Sequence, residues 1–206
     1  MLKMSIKQVE RAHGNPQAVA NELNNAKILR KGFRQYTIEI CLQYGKGLLS
    51  LEEARDNLQI RLSSFKDSEK NRVIRNHHYE ILDNFAYFIE EYGLKVIQNY
   101  AHVEIFIDPQ NKIAGQSCPI FMQENGRYCG VIMVNGEYDY TSIRNPIEKI
   151  AIAKKLKLKS VDEIDMYLFH MDSYSHELLP DITVNYDLII NNVKDIFKSV
   201  EKLMSA

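Results

Sequence analysis

The carboxylates best suited to bind a metal ion occur in two pairs in the middle of the chain. Glu104 and Asp108 lie four residues apart on or at the end of a predicted strand, which places them on one face but about 13 Å apart, too far to share one ion directly. Glu137 and Asp139 follow a turn and, with Asp172, form the best oxygen cluster that the sequence offers. A hydrated surface loop is the competing interpretation.

Other local signatures of chemistry are missing from the sequence. Gly45-Lys46-Gly47 lacks the earlier glycine and the following Ser or Thr of a phosphate-binding loop, and no Gly-x-Ser-x-Gly motif occurs. The six histidines form no recognisable set of ligands. Three widely spaced cysteines indicate neither a disulfide framework nor a structural zinc site, so we expect them to be reduced and buried. They are Cys41, Cys118 and Cys129.

Basic residues form two clusters in a chain whose formal net charge is -1. Because the whole chain exerts no general attraction on phosphates, a contact with nucleic acid would have to come from these clusters. The hydrated face of a helix is the more common origin of such a cluster. The first contains Lys27, Arg30, Lys31 and Arg34, and the second contains Lys149, Lys154, Lys155, Lys157 and Lys159.

The first ninety residues are predicted to be helical. Apolar residues recur at helical spacing between Phe33 and Tyr44, with a short strand around Thr37 as the alternative. Serine caps, one capping box and one early proline mark the helix starts. The predicted helices begin at Ser5, Pro16, Leu29, Ser50 and Ser68, and the last of them ends at Gly93.

After Gly93 the apolar period changes from 3.6 to 2, which predicts strands. Asn125-Gly126 is a strong hairpin signal, and we expect an antiparallel meander. A helix from Asn145-Pro146, a strand at MYLFHM and a final amphipathic helix from Ile189 to Leu203 complete the chain. The segments predicted for the meander are LKVIQNY, HVEIFID, KIAGQSCPIFM and RYCGVIMV.

These elements predict a single α+β domain over residues 1–206. A helical part, residues 1–92, packs on a small mixed or antiparallel sheet within residues 93–206, and C-terminal helices close the other face. Apolar runs such as VIMV fall far short of the ~20 residues of a membrane span. The first residues lack the apolar core of a signal peptide, so we expect a cytoplasmic protein without a membrane contact.

The order long helix, three strands, helix, strand, helix resembles the PD-(D/E)XK nuclease superfamily, and its RecB-like exonuclease branch most closely. The opening SIKQVERAHGNPQAVANEL is similar to that branch's first helix, KIAGQSCPIF to its second strand and YCGVIMVNG to its third strand. The resemblance implies a restriction-endonuclease-like core. It also implies that His77 or His78 lies where many of these enzymes carry a metal-binding histidine.

The resemblance implies a catalytic motif that has degenerated. Cys118 stands where the family carries an Asp, Ile132 where it carries a second carboxylate, and Val134 where it carries a lysine. A thiol is a poor ligand for Mg²⁺, and the two aliphatic side chains cannot bind a metal or move a proton. With this alignment the family's hydrolysis of phosphodiesters cannot proceed, and we name no catalytic residue.

Three functions therefore stay open. The first is a binding or scaffolding subunit for DNA, RNA or a partner protein, with no cofactor, in which the nucleic-acid candidates are Lys27, Arg30, Lys31, Arg34, Lys154, Lys155 and Lys157. The second is an active Mg²⁺- or Mn²⁺-dependent DNA nuclease with displaced ligands, drawn from His78, Glu104, Asp108, Glu137 and Asp139. The third is a protein-interaction subunit with no role in nucleic-acid chemistry.

Overall fold

Helices dominate the first half of the chain and strands the second in the computed structural model, which describes residues 2–24, 32–181 and 185–205. Capping boxes begin the first and fourth helices, where Ser5 and Ser50 accept the amides of Gln8 and Glu53. The helices are α1 (Ile6–Gly14), α2 (Pro16–Asn24), α3 (Phe33–Gly45), α4 (Leu51–Ser63), α5 (Glu69–Glu91), α6 (Arg144–Leu156) and α7 (Tyr186–Met204), with a 3-10 turn at Val161–Glu163. None of the described helices is long and apolar enough to cross a membrane.

The strands form two separate mixed sheets. They are β1 (Leu2–Met4), β2 (Leu94–Gln98), β3 (His102–Asp108), β4 (Asn111–Gln116), β5 (Ile120–Gln123), β6 (Tyr128–Val134), β7 (Ile164–His170) and β8 (His176–Leu178). The smaller sheet has the order β1-β4-β3, and the larger one has the order β2-β5-β6-β7-β8. β6 and β7 are parallel and are joined through α6, whereas the other neighbours in the larger sheet are antiparallel. The chain is therefore an α+β protein, as predicted.

The larger sheet is covered on both faces, because its central strands alternate between two hydrophobic clusters. Ile132 on β6 and Leu168 on β7 belong to one cluster, with α1, α2, α6, α7 and the smaller sheet. Val131 and Phe169 belong to the other cluster, with α3, α4 and α5. Strands buried on both faces have continuous apolar sequences, such as the VIMV of β6.

The predicted single meander is wrong. β2 pairs with β5, and β3 and β4 form an intervening hairpin that pairs with β1 in the other sheet. The segment KIAGQSCPIFM is two strands, because the chain leaves the smaller sheet at Ser117 and enters the larger one after Pro119. Pro119 has no amide N–H to extend the first ladder. The alternative strand around Thr37 is also wrong, since that segment is helical.

Two short strands, β1 and β8, were not predicted, because three residues are too few to show a pattern of period 2. The start predicted at Leu29 lies outside the described residues, and α3 is described from Phe33. The other expected elements are present, including the Asn125-Gly126 hairpin, in which Gly126 has a φ of 83°. The three cysteines are buried and unpaired, as expected.

Candidate functional site

A charged cleft opens at the N-terminal end of α6, over one end of the larger sheet. Its walls come from α1, α3, the β4–β5 connection and the segment that follows β6. An inner cavity of about 60 Å³ adjoins an outer cavity of about 420 Å³. Four residues line both cavities, namely Lys7, Arg34, Met133 and Arg144.

Three cations converge on this cleft. Arg144 is only 6% exposed, although it begins α6. Arg34 on α3 reaches across to the sheet, where its Nη2 donates to the carbonyl oxygen of Met133 at 3.0 Å. Lys7 on α1 is exposed at the cleft, and within the described residues it forms no ion pair. The inner cavity, which sets only Glu148 against these three cations, therefore has an excess of positive charge, whereas the outer cavity also bears Arg11 and three carboxylates.

The three cations lower the pKa values of their neighbours. Desolvation lowers the pKa of Lys7, and the neighbouring charges of Arg144 and Arg34 lower it further. Burial also lowers the pKa of Arg34, again with a contribution from Arg144. Like charges held together at a partly desolvated surface are stabilised by a bound anion.

Glu148 is the carboxylate of the inner cavity and is almost fully buried, at 1% exposure. It lies one turn after Arg144 on α6, and its Oε1 is 3.6 Å from Nε of that arginine. Its Oε2 accepts the backbone N–H of Cys118 at 2.8 Å. Burial raises the pKa of Glu148. The carboxylate thus holds the β4–β5 connection to α6 and is already occupied by these two contacts.

Two buried donor atoms in the cleft have no hydrogen-bond acceptor among the described residues. They are Nε of Arg144 and the hydroxyl of Tyr138. Nη1 of Arg144 is 3.5 Å from Oε2 of Glu10, at the limit of a hydrogen bond. Burial raises the pKa of Tyr138, so its hydroxyl stays protonated and can donate. Buried polar groups are rarely left unpaired, and two such donors in one cleft favour an acceptor group there.

The positions predicted for a degenerate catalytic motif lie together on one face of the larger sheet. Ile120 pairs with Gly130, and extending this antiparallel register by two residues sets Cys118 opposite Ile132. Cys118, Ile132 and Val134 all belong to the cluster beneath α6 and α7. Gly130 packs against the Cys118 thiol so closely that a Cβ atom at position 130 would lie 2.9 Å from the sulfur. Burial raises the pKa of the Cys118 thiol well above its usual range.

The five predicted metal ligands do not come together. Glu104 on β3 pairs with Lys112 at 2.7 Å, and Asp108 accepts the Gln110 amide in the β3–β4 turn, so both belong to the smaller sheet. Glu137 and Asp139 lie on the outer wall of the cleft. In the described ranges, no three His, Cys, Asp or Glu side chains are grouped so that they could hold a metal ion.

His78 is a buried histidine between α3 and α5. Its Nδ1 is 2.9 Å from Oγ1 of Thr37, which in turn donates to the Phe33 carbonyl, and its ring stacks 5.7 Å from that of Phe33. Burial, with smaller contributions from His77 and Arg34, lowers the pKa of His78 to about 4. A ring held neutral in this way supports the packing of the helical layer.

The lowered pKa of His78 predicts that the protein loses stability in acid. The pKa of His78 falls from 6.5 when unfolded to about 4 when folded, so the unfolded state binds more protons between these values. The free energy of unfolding should therefore fall by up to roughly 3 kcal/mol as pH drops through this window. Urea unfolding at pH 7, 6, 5 and 4 measures this fall in the free energy of unfolding. His78→Gln, which keeps a partner for Thr37, should flatten the profile, whereas the exposed control His102→Gln should not. An unchanged slope in His78→Gln would contradict the assignment.

The predicted lysine cluster of α6 lies away from the cleft. Lys154 and Lys155 are about 15 Å along the helix from Arg144, and Nζ of Lys154 donates to the Glu104 carbonyl at 2.9 Å. Lys157 is exposed and ends α6 in the left-handed conformation. Lys149, which the sequence places in the same cluster, is instead buried and pairs with Asp181 at 2.8 Å. Lys27, Arg30 and Lys31 lie outside the described residues.

Sequence reasoning identified Arg34 but missed Lys7, Tyr138, Arg144 and Glu148. A signal for two of them was present, because Arg144 and Glu148 are spaced four apart at the start of a helix whose following turns are rich in Ile and Ala. Charged residues on the buried face of such a helix are rare unless they are paired or functional.

Comparisons with known proteins give little further information. No protein-family model matches the chain, and no curated protein matches its sequence. Among solved structures, the crystal structure of SSO0001 is similar over 92% of this chain and 84% of that chain, with 9% identity and a TM-score of 0.36. A likeness this low supports no conclusion about function, which has to follow from the geometry of the cleft.

Proposed function

We propose that this protein is a catalytically inactive, nuclease-like accessory subunit that binds nucleic acid through the cleft at α6. The observation that carries the proposal is the convergence of Lys7, Arg34 and Arg144 beside the matched motif position Cys118. A nuclease of the resembled family would hold carboxylates and a metal ion at this place. Here three cations and one carboxylate line the inner cavity, and this excess of positive charge suits binding of phosphate.

The arrangement of elements supports the nuclease-like part of the proposal. The larger sheet is built by β2, β5, β6 and β7, with α5 before β2 and α6 between β6 and β7. This is the order expected from the resemblance, with the β3–β4 hairpin as an insertion. Ligand sites in such layered folds lie where helix ends and connections meet one edge of the sheet, as they do at this cleft.

The side chains beside Cys118 do not fit Mg²⁺ or Mn²⁺. These ions need several oxygen ligands, and the inner cavity offers one carboxylate, Glu148, which already accepts an amide and faces an arginine. Ile132 and Val134 supply no donor atom at all. We therefore assign no hydrolytic step to this place, and binding is the activity that its chemistry supports.

The decisive experiment measures binding of a fluorescent single-stranded oligonucleotide across a salt series. The variant with both Lys7→Gln and Arg34→Gln should bind at least about tenfold more weakly, because each cation supplies a charge-assisted contact. The slope of log affinity against log salt should fall by about 1.4, or 0.7 for each lost charge. The matched control, with Lys154→Gln and Lys155→Gln, removes two exposed cations from the other end of α6 and should retain affinity.

Other results would contradict the proposal in distinct ways. Equal weakening by both double variants would place the contact on a broad surface and not in the cleft. Cleavage with Mn²⁺ that stops when Glu148 or Asp139 alone is changed to its amide would reveal an active nuclease. No binding to DNA or RNA at low salt would leave a protein partner as the occupant.

A further inference from the structure

The inner cavity is small, and most of the charged residues that line it are cations. Its volume is about 60 Å³, against about 420 Å³ for the outer cavity. Its floor consists of buried residues, which are Cys118, Pro119, Val131 and Met133. A nucleic-acid strand bound along its length needs a channel that is open at both ends. The inner cavity has a closed floor, so it suits the end of a strand better.

The charges that line the inner cavity favour a dianion. Three cations and one carboxylate face it, an excess of two positive charges. A phosphate monoester carries a charge of about -1.5 to -2 at neutral pH, whereas each phosphodiester of a backbone carries about -1. The outer cavity adds Arg11 to the three cations but also bears Glu10, Glu137 and Asp139, so its excess of positive charge is smaller than that of the inner cavity. This distribution favours approach of a strand by its end.

Donors converge where the two cavities meet. Arg144 is 94% buried, lines both cavities and leaves its Nε without an acceptor, and the unpaired hydroxyl of Tyr138 lines the same cleft. Arg144 also begins a helix of 13 residues, whose N-terminus carries a partial positive charge. A phosphate at the mouth of the inner cavity would adjoin both Arg144, which lines the two cavities, and Tyr138, which lines the outer one.

We infer that the inner part of the cleft binds the terminal phosphate of a nucleic-acid strand. Lys7 and Arg34 supply charge from the cleft walls, Arg144 donates where the two cavities meet, and Tyr138 donates from the outer cavity. The inference rests on the proposed function and adds to it the group that is recognised. Free inorganic phosphate shares this chemistry and is a separate arm of the test.

The test compares one short single-stranded oligonucleotide in three forms, with a 5′-phosphate, with a 3′-phosphate or with hydroxyl ends only. One of the phosphorylated forms should bind about tenfold or more tightly than the hydroxyl form, as expected for hydrogen bonds to a charged group. Tyr138→Phe removes the hydroxyl and little else. It should abolish most of this preference, whereas the control with Lys154→Gln and Lys155→Gln should retain both the preference and the affinity for the hydroxyl form.

The result separates the inference from the proposed function. Equal affinity for all three forms, weakened alike by the Lys7 and Arg34 substitutions, overturns the terminal-phosphate site and leaves binding in the cleft intact. Binding of inorganic phosphate that depends on Tyr138, without a preference for phosphorylated strands, shows a free-phosphate site and also overturns the inference. If no oligonucleotide binds, the inference and the proposed function both fail. A thermal melt of Tyr138→Phe confirms that the variant is folded.

Discussion

Replacing Glu148 with alanine is expected to lower the free energy of unfolding by roughly 3–5 kcal/mol. The change removes the buried partner of Arg144 and leaves the N–H of Cys118 without an acceptor. Arg144 then keeps only the 3.5 Å contact with Glu10, and the buried amide of Cys118 has no acceptor; both changes are costly in a buried place. Urea denaturation at pH 7, followed by circular dichroism, measures the difference.

Glu148→Gln is the matched control. The amide keeps an oxygen that accepts from Cys118, and it removes a carboxylate whose pKa is raised by burial, so its charged form is costly at pH 7. We expect this variant to lose less stability than alanine, because it restores the acceptor for Cys118 but not the negative charge opposite Arg144. A loss of less than about 1 kcal/mol in Glu148→Ala would show that the cleft rearranges and that the contact with Arg144 contributes little.

Phe88→Ala is expected to cost roughly 3–5 kcal/mol, because it opens a cavity where the helical layer meets the larger sheet. The side chain of Phe88 is fully buried on α5. Its ring centroid lies 5.8 Å from that of Tyr167 and 5.6 Å from that of Phe169, both on β7. The ring also lies 5.1 Å from His176 on β8. Aromatic contacts of this geometry add to the area that the side chain buries.

Val73→Ala tests whether the stability lost in Phe88→Ala comes from packing of the side chain and not from a change in the helical structure of α5. Val73 lies on the same helix, but its side chain is 66% exposed. We expect its substitution to change stability by no more than about 0.5 kcal/mol. Similar losses for both variants would mean that α5 contributes mainly through its own helical structure. In that case the aromatic cluster at β7 would not be the main source of its stability.

The helices could be predicted because their signals are local. Ser5, Ser50 and Ser68 each accept a backbone amide at the start of a helix, and Gly93, with a φ of 57°, follows the end of α5. A cap and an apolar stripe involve residues within a few turns of one another, so they are visible in the sequence.

The pairing of the strands could not be predicted in the same way. Apolar and polar residues alternate clearly along β3, but this pattern does not reveal which sheet the strand joins. Val103 faces the cluster beneath α6 and α7, whereas Val96 on β2 faces the cluster beneath α3 and α5. Two successive strands therefore lie in different sheets because their apolar sides pack on different helices.

The candidate site was hidden because its residues come from distant segments. Lys7 and Arg144 are far apart in sequence and meet only because α1 packs against α6. The resemblance matched Cys118 and Ile132 to one motif, and the β5–β6 register sets these two residues opposite each other. It did not indicate that arginine and lysine side chains surround this place.

The three buried cysteines also provide reporters of partial unfolding. Cys118 faces the cluster beneath α6 and α7, whereas Cys41 and Cys129 belong to the cluster beneath α3 to α5. Desolvation raises the pKa of all three thiols, and only the thiolate reacts with alkylating reagents. The rate at which each cysteine is alkylated in the native protein therefore measures how often its own layer separates from the sheet.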